Sequence, residues 1–381
     1  MAKLTDVNTT NLRSAIELGC GTMSRVFNPD ADDAPYFGSL VWPRGEFQFN
    51  AAYSDAHVPG RHLNALLNAE AALGVKVDEQ TVARHRTAAL RAYAGPLPLP
   101  LNRHEPTGPV VNFLYHNLRE GFHALYALAA YRDDAEARQR AEASIDAITR
   151  LWRPDRRWDT DALRAAGPIN IHESTFIVGE ARAIGPLVKY YRATGHTPAL
   201  KLAIELKNVA LADYFTPDGG YDPTTWGGHT HSATCTMSSL AQLAEVLGDH
   251  DLLERVRTFY DRGLWQMRDA LGWVIESAGN PKANPDMGEV NNTGDIVETA
   301  LILGRAGHAR YYADAERIVR SHLLPSQLRD VSFITEPDNP EGIDALRDIA
   351  ARHIGAFGFP APYGHHPIDL PQISFNLDMV G

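Results

Sequence analysis

The sequence has little of what marks a disulfide-stabilised, membrane-spanning or nucleic-acid-binding protein. Its 381 residues include two cysteines, Cys20 and Cys235, which are too few for a disulfide framework or a Cys-rich zinc site. The net charge at pH 7 is −11, whereas a nucleic acid or an anionic membrane requires a concentrated basic surface. Apolar runs of membrane-spanning length are absent from the sequence. We therefore expect neither a nucleic acid nor a membrane as partner.

The first residues also lack the pattern of an export signal. Residues 1–23 contain no basic start followed by an apolar run. We expect a cytoplasmic protein, or an exported one whose signal has been removed. The hydrophobic content of 44% and the charged content of 22% are those of an ordered globular protein, and we expect residues 1–381 to form a single domain.

Strand-like alternation is scarce, and paired helical segments take its place. From Gly60 onward, an apolar helix repeatedly ends at a Gly or Asp turn and is followed by an amphipathic helix, with a repeat of roughly fifty to sixty residues. Five such hairpins and a partial sixth predict an all-α fold, an (α/α)6 toroid with the first helix of each pair inside. Since the chain stops where another inner helix is due, either the N-terminal helix completes the sixth hairpin or the ring is partly open.

The fifth hairpin, residues 284–324, carries more polar residues in front of its first helix than a turn requires. Asp295 and Glu298 have the spacing of a capping box, which predicts the helix start at that point. The apolar run 301–303 predicts that this first helix is buried. Glu289 has no such structural role and is the first functional candidate. The exposed face of the second helix is expected to carry Asp314, Glu316, Arg317 and Arg320.

The loops that precede the inner helices of a closed ring all lie at one end, so their polar residues converge. Carboxylates, imidazoles, amides and an indole around one funnel suit the hydroxyl groups and ring faces of a sugar. The predicted substrate-binding residues are Asp55, Arg61, His116, His172, Trp226, His229, His231, Asn291 and Asn292, and His365 and His366 belong to the last such loop.

Two carboxylates that flank a glycosidic bond can act as general acid and as base or nucleophile. We assign the acid role to Glu289, with Asp295 or Glu173 as its partner, because an enclosed funnel would keep one carboxyl protonated. Rim His and Arg side chains suit the carboxylate of an acidic sugar. The predicted function is hydrolysis of a terminal uronic acid from an oligosaccharide, without a cofactor; a homodimer is compatible with the sequence.

Several of these candidates also have a structural interpretation. Asp55 and Arg61 have the charges of an ion pair that would anchor the first hairpin. Glu173 would cap a helix that begins near Ser174. His229 and His231 have the His-x-His spacing of some metal sites, but the sequence offers no obvious third ligand, so no metal is expected.

The segments DAHVPGRHLNALLNAE and GEVNNTGDIVETALILGRAGHARYYADAERIVRSHL, together with the hairpin array, resemble the six-hairpin (α/α)6 glycoside hydrolases. Within that group the chain is similar to β-L-arabinofuranosidases, unsaturated glucuronyl hydrolases and bacterial β-glucuronidases. The resemblance to glucuronyl hydrolases implies acidic residues at inner-helix starts, which fits Glu289 and Asp295. The arabinofuranosidases hold zinc with several cysteines and use a Cys nucleophile. Only Cys235 matches those cysteines here, so the resemblance implies neither the zinc site nor the Cys nucleophile for this chain.

Three alternatives remain open, the first two on the same toroid and the third as an open solenoid. A lyase would use His229 or His231 with a tyrosine such as Tyr115 or Tyr221 to remove the proton beside a carboxylate. A sugar epimerase would move a proton between paired histidines. A helical-repeat binding module would spread its polar residues along a concave face instead of gathering them at one end.

Overall fold

Helices make up most of the chain in the computed structural model, which describes residues 11–153, 155, 157–167, 169–279, 288–358 and 373–381. The predicted loop residues His365 and His366 lie outside these ranges. In chain order, the helices are α1 (Leu12–Met23), α2 (His57–Leu73), α3 (Glu79–Ala92), α4 (Leu118–Tyr131), α5 (Ala135–Leu151), α6 (Thr160–Ala165), α7 (Ile184–Thr194), α8 (Thr197–Asp213), α9 (Pro223–Trp226), α10 (Thr230–Leu247), α11 (His250–Asp261), α12 (Val290–Arg305), α13 (Arg310–Ile318) and α14 (Ile349–His353).

Five helical hairpins form the ring, and they confirm the (α/α)6 toroid. Helices α2, α4, α7, α10 and α12 pack side by side in this order, and each packs against the outer helix that follows it: α3, α5, α8, α11 and α13. The inner helix α10 is buried at every residue from Thr230 to Ala244. Its outer partner α11 buries only one stripe, which includes Leu252, Val256 and Phe259. This difference is the one expected between an enclosed and a half-exposed helix.

The hairpin turns follow from a glycine stop and an aspartate start. Gly74 and Gly248 end α2 and α10 with φ values of 62° and 63°, a left-handed conformation that glycine adopts without steric cost. Asp78 and Asp249 then accept hydrogen bonds from backbone N–H groups in the first turns of α3 and α11. Such a cap satisfies donors that the helix itself leaves unpaired.

The part of the ring in which a sixth hairpin was predicted, called the sixth sector below, is irregular. Helix α1 runs opposite to α2. Arg13 near its start bonds the carbonyl of Leu73 at the end of α2 at 2.7 Å, while the carbonyl of Met23 at its own end contacts His85 of α3 at 2.9 Å, and His85 lies against His62 in the first half of α2. It therefore has the direction of an outer helix. The 3-10 turn Leu377–Val380 packs against both α1 and α2. The predicted partial sixth hairpin is reduced to a 3-10 turn, Asp344–Leu346, and the short helix α14.

Short strands fill the loops at the inner-helix starts. They are β1 (Phe27–Asn28), β2 (Ala34–Pro35), β3 (Gly38–Trp42), β4 (Glu46–Gln48), β5 (Leu101–Arg103), β6 (Val110–Leu114), β7 (Trp152–Arg153), β8 (Arg157–Trp158), β9 (Asn170–His172) and β10 (Ile373–Asn376). The sheet orders are β1-β2, β10-β3-β4, β5-β6-β9 and β7-β8, and only the pairing of β6 with β9 is parallel among these strands.

Several predicted boundaries and exposures were wrong. Helix α12 begins at Val290, not at Asp295, so Asp295 lies on the helix and is not its cap. Helix α7 begins at Ile184, so Glu173 does not cap it. Leu301 is 38% exposed, although its neighbours in the apolar run are buried. Asp314 is buried against Arg268 at 3.0 Å, whereas the pattern placed it on the outer face.

Candidate active site

Polar residues from the starts of the inner helices meet in one buried cluster. Its members come from α2, from the 3-10 turns that precede α4 and α7, from the first two turns of α4, α10 and α12 and the residues just before α10 and α12, and from the C-terminal turn. The cluster contains His57, Arg61, His116, Arg119, Glu120, Arg182, His229, His231, Glu289, Asn291, Asn292, Asp295 and Asp378.

Glu120 lies at the centre of three guanidinium groups. Its Oε1 atom is 3.0 Å from Arg61, 3.0 Å from Arg119 and 2.7 Å from Arg182. Burial opposes ionisation of Glu120, but the charges around it, that of Arg182 foremost, hold its pKa well below the usual value. Glu120 is therefore a fixed anion that orients two arginines, Arg61 and Arg119, whose side chains also line the central cavity.

A chain of imidazoles crosses the cluster. His57 and His116 stack with ring centroids 5.3 Å apart and planes within 4°. His116 meets His229 edge-on at 5.3 Å, and His229 meets His231 at 6.0 Å. Burial lowers the pKa values of His57, His116 and His231. These three rings are consequently neutral near pH 7.

Two predicted catalytic carboxylates, that of Glu289 just before α12 and that of Asp295 within it, lie beside opposite nitrogens of one imidazole. Nδ1 of His231 is 3.4 Å from Oε1 of Glu289, and Nε2 of His231 is 3.4 Å from Oδ2 of Asp295. Glu289 precedes the first residue of α12 and accepts a hydrogen bond from Asn291 at 2.7 Å. Asn292 instead contacts the hydroxyl of Thr234 at 2.8 Å.

Asp295 has the environment of a buried general acid. It accepts a hydrogen bond from Thr234 at 3.0 Å, and its other oxygen is 3.5 Å from Arg119. Burial raises the pKa of Asp295 to about 7, although the charge of Arg119 opposes the shift. Helix α12 begins five residues earlier in the chain, at Val290. The Asp295 side chain therefore does not cap the helix, and it lines the cavity.

The cavity beside Asp295 has a volume of about 470 Å³, within the range of small-molecule sites. Its lining has a polar part with both basic and acidic groups, the polar wall, and an apolar part, the apolar wall. The polar wall contains Arg61, Asn64, Arg119, His123, Lys189, His231, Asn291, Asp295 and Glu298, and the apolar wall contains Leu12, Ile16, Met23, Leu323, Phe357 and Val380.

Four predicted site residues lie apart from the cluster. The expected pair of Asp55 and Arg61 was wrong, because Asp55 bonds Arg103 at 2.7 Å. Trp226 is 3% exposed and stacks on Phe259 with centroids 5.0 Å apart, so a neighbouring ring covers one of its faces. The remaining two, His172 and Glu173, are exposed at the end of β9 and beyond it. For these four residues, a role in catalysis or binding stays a prediction.

The sequence-based choice omitted Arg119, Glu120, Arg182 and Asp378. Arg119 and Glu120 interrupt an otherwise apolar inner helix, a signal that could have been used. Arg182 lies in a stretch whose pattern reads as continuous helix but which forms the 3-10 turn Glu180–Ala183. Asp378 joins through the C-terminal turn, where it is 2.9 Å from His57, and no local pattern indicates that contact.

The overall architecture matches solved structures of enzymes that act on sugars. The chain is similar to the unsaturated glucuronyl hydrolase from Bacillus sp. GL1, with a TM-score of 0.60, 14% identity, and coverage of 96% of this chain and 93% of that one. It is similar to a D-mannose isomerase, with a TM-score of 0.62, 12% identity, and coverage of 93% of this chain and 97% of that one. It is also similar to an inactive variant of the α-1,6-mannanase GH76A of Salegentibacter sp. HEL1_6, with a TM-score of 0.57, 11% identity, and coverage of 91% of this chain and 98% of that one.

These similarities confirm the six-hairpin fold, and at such low identity they show the fold alone. No protein-family model matches the chain, and no curated protein matches it by sequence. Among the described residues, none of the helices has both the length and the apolar character needed to cross a membrane.

Proposed function

We propose that the protein is a glycoside hydrolase that removes a terminal uronic acid from an oligosaccharide. The observation that carries the proposal is Asp295, a buried carboxyl group on the cavity wall whose pKa is raised to about 7. A general acid works best when its pKa lies near the working pH. The acid role therefore goes to Asp295 and the base role to Glu289, the reverse of the assignment made from sequence.

The reaction would proceed in one balanced displacement. Asp295 gives its proton to the glycosidic oxygen, and the bond between that oxygen and the anomeric carbon breaks. A water molecule adds to the anomeric carbon and passes a proton to Glu289 by way of His231, whose ring lies between the two carboxylates at 3.4 Å from each, and Asn291 orients Glu289 through its 2.7 Å hydrogen bond. Such carboxylate pairs are the usual apparatus of glycosidases.

The basic side chains of the cavity support an acidic sugar, although Glu298 also lines the cavity and Glu120 already pairs with Arg61 and Arg119. Arg61, Arg119 and Lys189 all line it, and a guanidinium group binds a carboxylate through paired, charge-assisted hydrogen bonds. The fold shared with an unsaturated glucuronyl hydrolase is consistent with this substrate class. The oligosaccharide remainder would extend along the apolar wall of the cavity.

A second candidate is a sugar epimerase or isomerase, and the imidazole chain favours it. His231 lines the cavity and is neutral, His116 and His57 continue the imidazole chain beyond it by way of His229, and the D-mannose isomerase shares the fold. A lyase that uses Tyr115 or Tyr221 gains no comparable support, although Tyr53 contacts His57 and His116 with ring centroids 5.2 Å and 5.8 Å apart. Tyr115 stacks on Trp158 at 5.1 Å, and Tyr221 packs against Trp226 at 5.2 Å, so both tyrosines belong to the aromatic core.

The test is to incubate purified wild type, Asp295→Asn and Glu289→Gln with uronic-acid, arabinose and mannose glycosides. Reducing-sugar release reports hydrolysis, new ultraviolet absorbance reports an unsaturated uronate, and chromatography reports an isomerised sugar. We expect release from uronides that falls as pH rises above about 7, because the required acid loses its proton there. Asp295→Asn should lower kcat/KM by about 10²–10⁴-fold.

Asp314→Asn is the matched control, because it removes a buried carboxylate of the same hairpin that pairs with Arg268 at 3.0 Å. It should retain activity when folded. Full activity of Asp295→Asn would contradict the assignment. A new sugar isomer without release would replace the hydrolase by the epimerase, and new absorbance would replace it by the lyase.

A further inference from the structure

The His-x-His motif, which the proposed hydrolysis does not explain, gains a third neighbour in the folded chain. One ligand atom from each of His229, His231 and Glu289 lies within 4.8 Å of the other two. Nε2 of His229 is 3.5 Å from Oε2 of Glu289, and Nδ1 of His231 is 3.4 Å from Oε1. We propose that these three residues bind a divalent transition-metal ion of the zinc type.

The separations suit such an ion. Zinc in proteins is tetrahedral with bonds of about 2.0–2.2 Å to His nitrogen and carboxylate oxygen, which places neighbouring ligand atoms about 3.3–3.5 Å apart. Each histidine nitrogen has such a distance to one oxygen of Glu289, Nε2 of His229 to Oε2 and Nδ1 of His231 to Oε1, so the carboxylate lies within reach of an ion held by both nitrogens. Two histidines and one glutamate fill three positions and leave a fourth for water or substrate, as in catalytic zinc sites.

The surrounding residues hold the three side chains as a metal site requires. A ligating imidazole commonly uses its second nitrogen to bond a carboxylate or another fixed group, which sets its tautomer and orientation. Nδ1 of His229 contacts the hydroxyl of Ser232 at 2.7 Å, and Nε2 of His231 faces Asp295 at 3.4 Å. Glu289 is oriented in turn by Asn291 at 2.7 Å.

An independent observation is the state of His231 itself. Its side chain is 1% exposed, and its Nδ1 atom makes no hydrogen bond within the described part of the chain. A buried polar atom without a partner is unfavourable, and a cation between Nδ1 and Glu289 would satisfy it. The atom points at the place where the proposed ion would lie.

A second group, His231 with Cys235 and Asp295, also brings three ligand atoms within 4.8 Å of one another, but it is a poorer site. The Cys235 thiol donates to the carbonyl of Ser232 at 3.4 Å. Asp295 is already bonded by Thr234 and lies 3.5 Å from the positive charge of Arg119. A divalent ion between these three residues would lie next to the Arg119 guanidinium group and be repelled by it. We therefore place the ion between His229, His231 and Glu289.

The experiment uses no substrate, so its failure is separate from failure of the proposed hydrolysis, with which the site shares Glu289. The full chain is stripped with a chelator, and Zn²⁺ binding is measured by equilibrium dialysis and elemental analysis. We expect one ion per chain in wild type and in the matched control Cys235→Ala. Ser232→Ala should weaken binding about 10–100-fold. His229→Ala and Glu289→Gln should weaken it further, with circular dichroism confirming that each variant is folded.

Cobalt substitution of the wild type provides a readout that needs no variant. Co²⁺ bound by nitrogen and oxygen ligands should show tetrahedral visible bands without a thiolate charge-transfer band. A thiolate band, or loss of binding in Cys235→Ala, would move the ion to the other group and overturn the proposal. Absence of stoichiometric Zn²⁺ binding, or binding unchanged in both His229→Ala and Glu289→Gln, would also overturn it.

Discussion

Among single residues, Glu180 shows how strongly burial changes a carboxyl group outside the proposed site. It lies in the 3-10 turn Glu180–Ala183 before α7, where it is buried and accepts a hydrogen bond from the indole N–H of Trp158 at 2.5 Å. Burial raises the pKa of Glu180 to about 8, although hydrogen bonds from its own backbone and from Trp158 act in the opposite direction. Glu180 is therefore a neutral acid at pH 7.

We predict that Glu180→Gln stabilises the protein increasingly as pH rises from 5 to 8. An unfolded glutamate loses its proton near pH 4.5, whereas folded Glu180 keeps it to about pH 8. Between these values the folded wild type binds more protons than the unfolded chain, so its stability falls as pH rises, by up to about 1.4 kcal/mol per pH unit. Glutamine keeps the acceptor for Trp158 and does not titrate. Urea unfolding of both proteins across this range measures the difference, and a pH-independent difference would contradict the prediction.

Residue identities in the cluster were predictable where the signal is local. Glu289, Asn292 and His231 stand out because polar side chains at the start of an apolar helix are unusual. Their partners were not predictable, because a charge finds its counterion in three dimensions. Asp55 is six positions from Arg61 in the chain, yet it bonds Arg103.

Among helices, the same limit applies to boundaries. Aspartates that follow a glycine stop, such as Asp249 after Gly248, do cap the next helix. The Asp295–Glu298 spacing imitates that signal inside a helix, where i and i+3 residues simply share a face. The true start, at Val290, comes shortly after residues 280–287, which lie outside the described ranges. Helix existence was thus predictable from periodicity, and the boundary that decides the role of Asp295 was not.

The contact of α2 with α4 depends on a single glycine. A Cβ atom on Gly60 would lie 1.9 Å from the backbone oxygen of Glu120. Backbone cannot rotate away as a side chain can, so the two helices would have to separate. Their separation would also disturb the 3.0 Å ion pair of Arg61 with Glu120.

We predict that Gly60→Ala destabilises the protein by at least about 1–3 kcal/mol, the usual cost of overpacking a core. Gly294→Ala is the matched control, since that glycine also lies in an inner helix but has no heavy atom within 4 Å of the added Cβ. It should stabilise by roughly 0.5–1 kcal/mol, because alanine favours the helix. Both values follow from guanidinium unfolding. Equal effects of the two substitutions would refute the close-packing explanation.

For the whole molecule, the ring of five hairpins was predictable because the helical pattern repeats along the sequence. The structure of the sixth sector was not predictable. Each complete hairpin pairs an apolar helix with an amphipathic one, so the pattern predicts its own position in the ring. The sector that contains α1 and the turn Leu377–Val380 joins segments from opposite ends of the chain. No repeat indicates that contact, and it forms the apolar wall of the cavity together with residues 323–324 and Phe357.

Ion pairs around Glu120 connect the sectors of this ring. Arg61 of α2 and Arg182 before α7 both bond Glu120 of α4, and Arg61 also lies 3.3 Å from Asp378 of the C-terminal turn. Arg119 extends the network to Asp295 of α12 at 3.5 Å. Four segments distant in sequence therefore share one set of buried charges with α4.

We predict that Glu120→Gln destabilises the whole ring by about 3–5 kcal/mol, because it leaves three buried guanidinium groups without their common counterion. Unfolding should stay a single transition of reduced midpoint, since the lost charge serves several sectors at once. Glu136→Gln is the matched control: its pairs with Arg86 and Arg140 are half-exposed, and such pairs contribute about 0–1 kcal/mol. Urea unfolding followed by both circular dichroism and tryptophan fluorescence measures the two losses. Similar small losses for both variants, or two separate transitions for Glu120→Gln, would show that the network does not hold the sectors together.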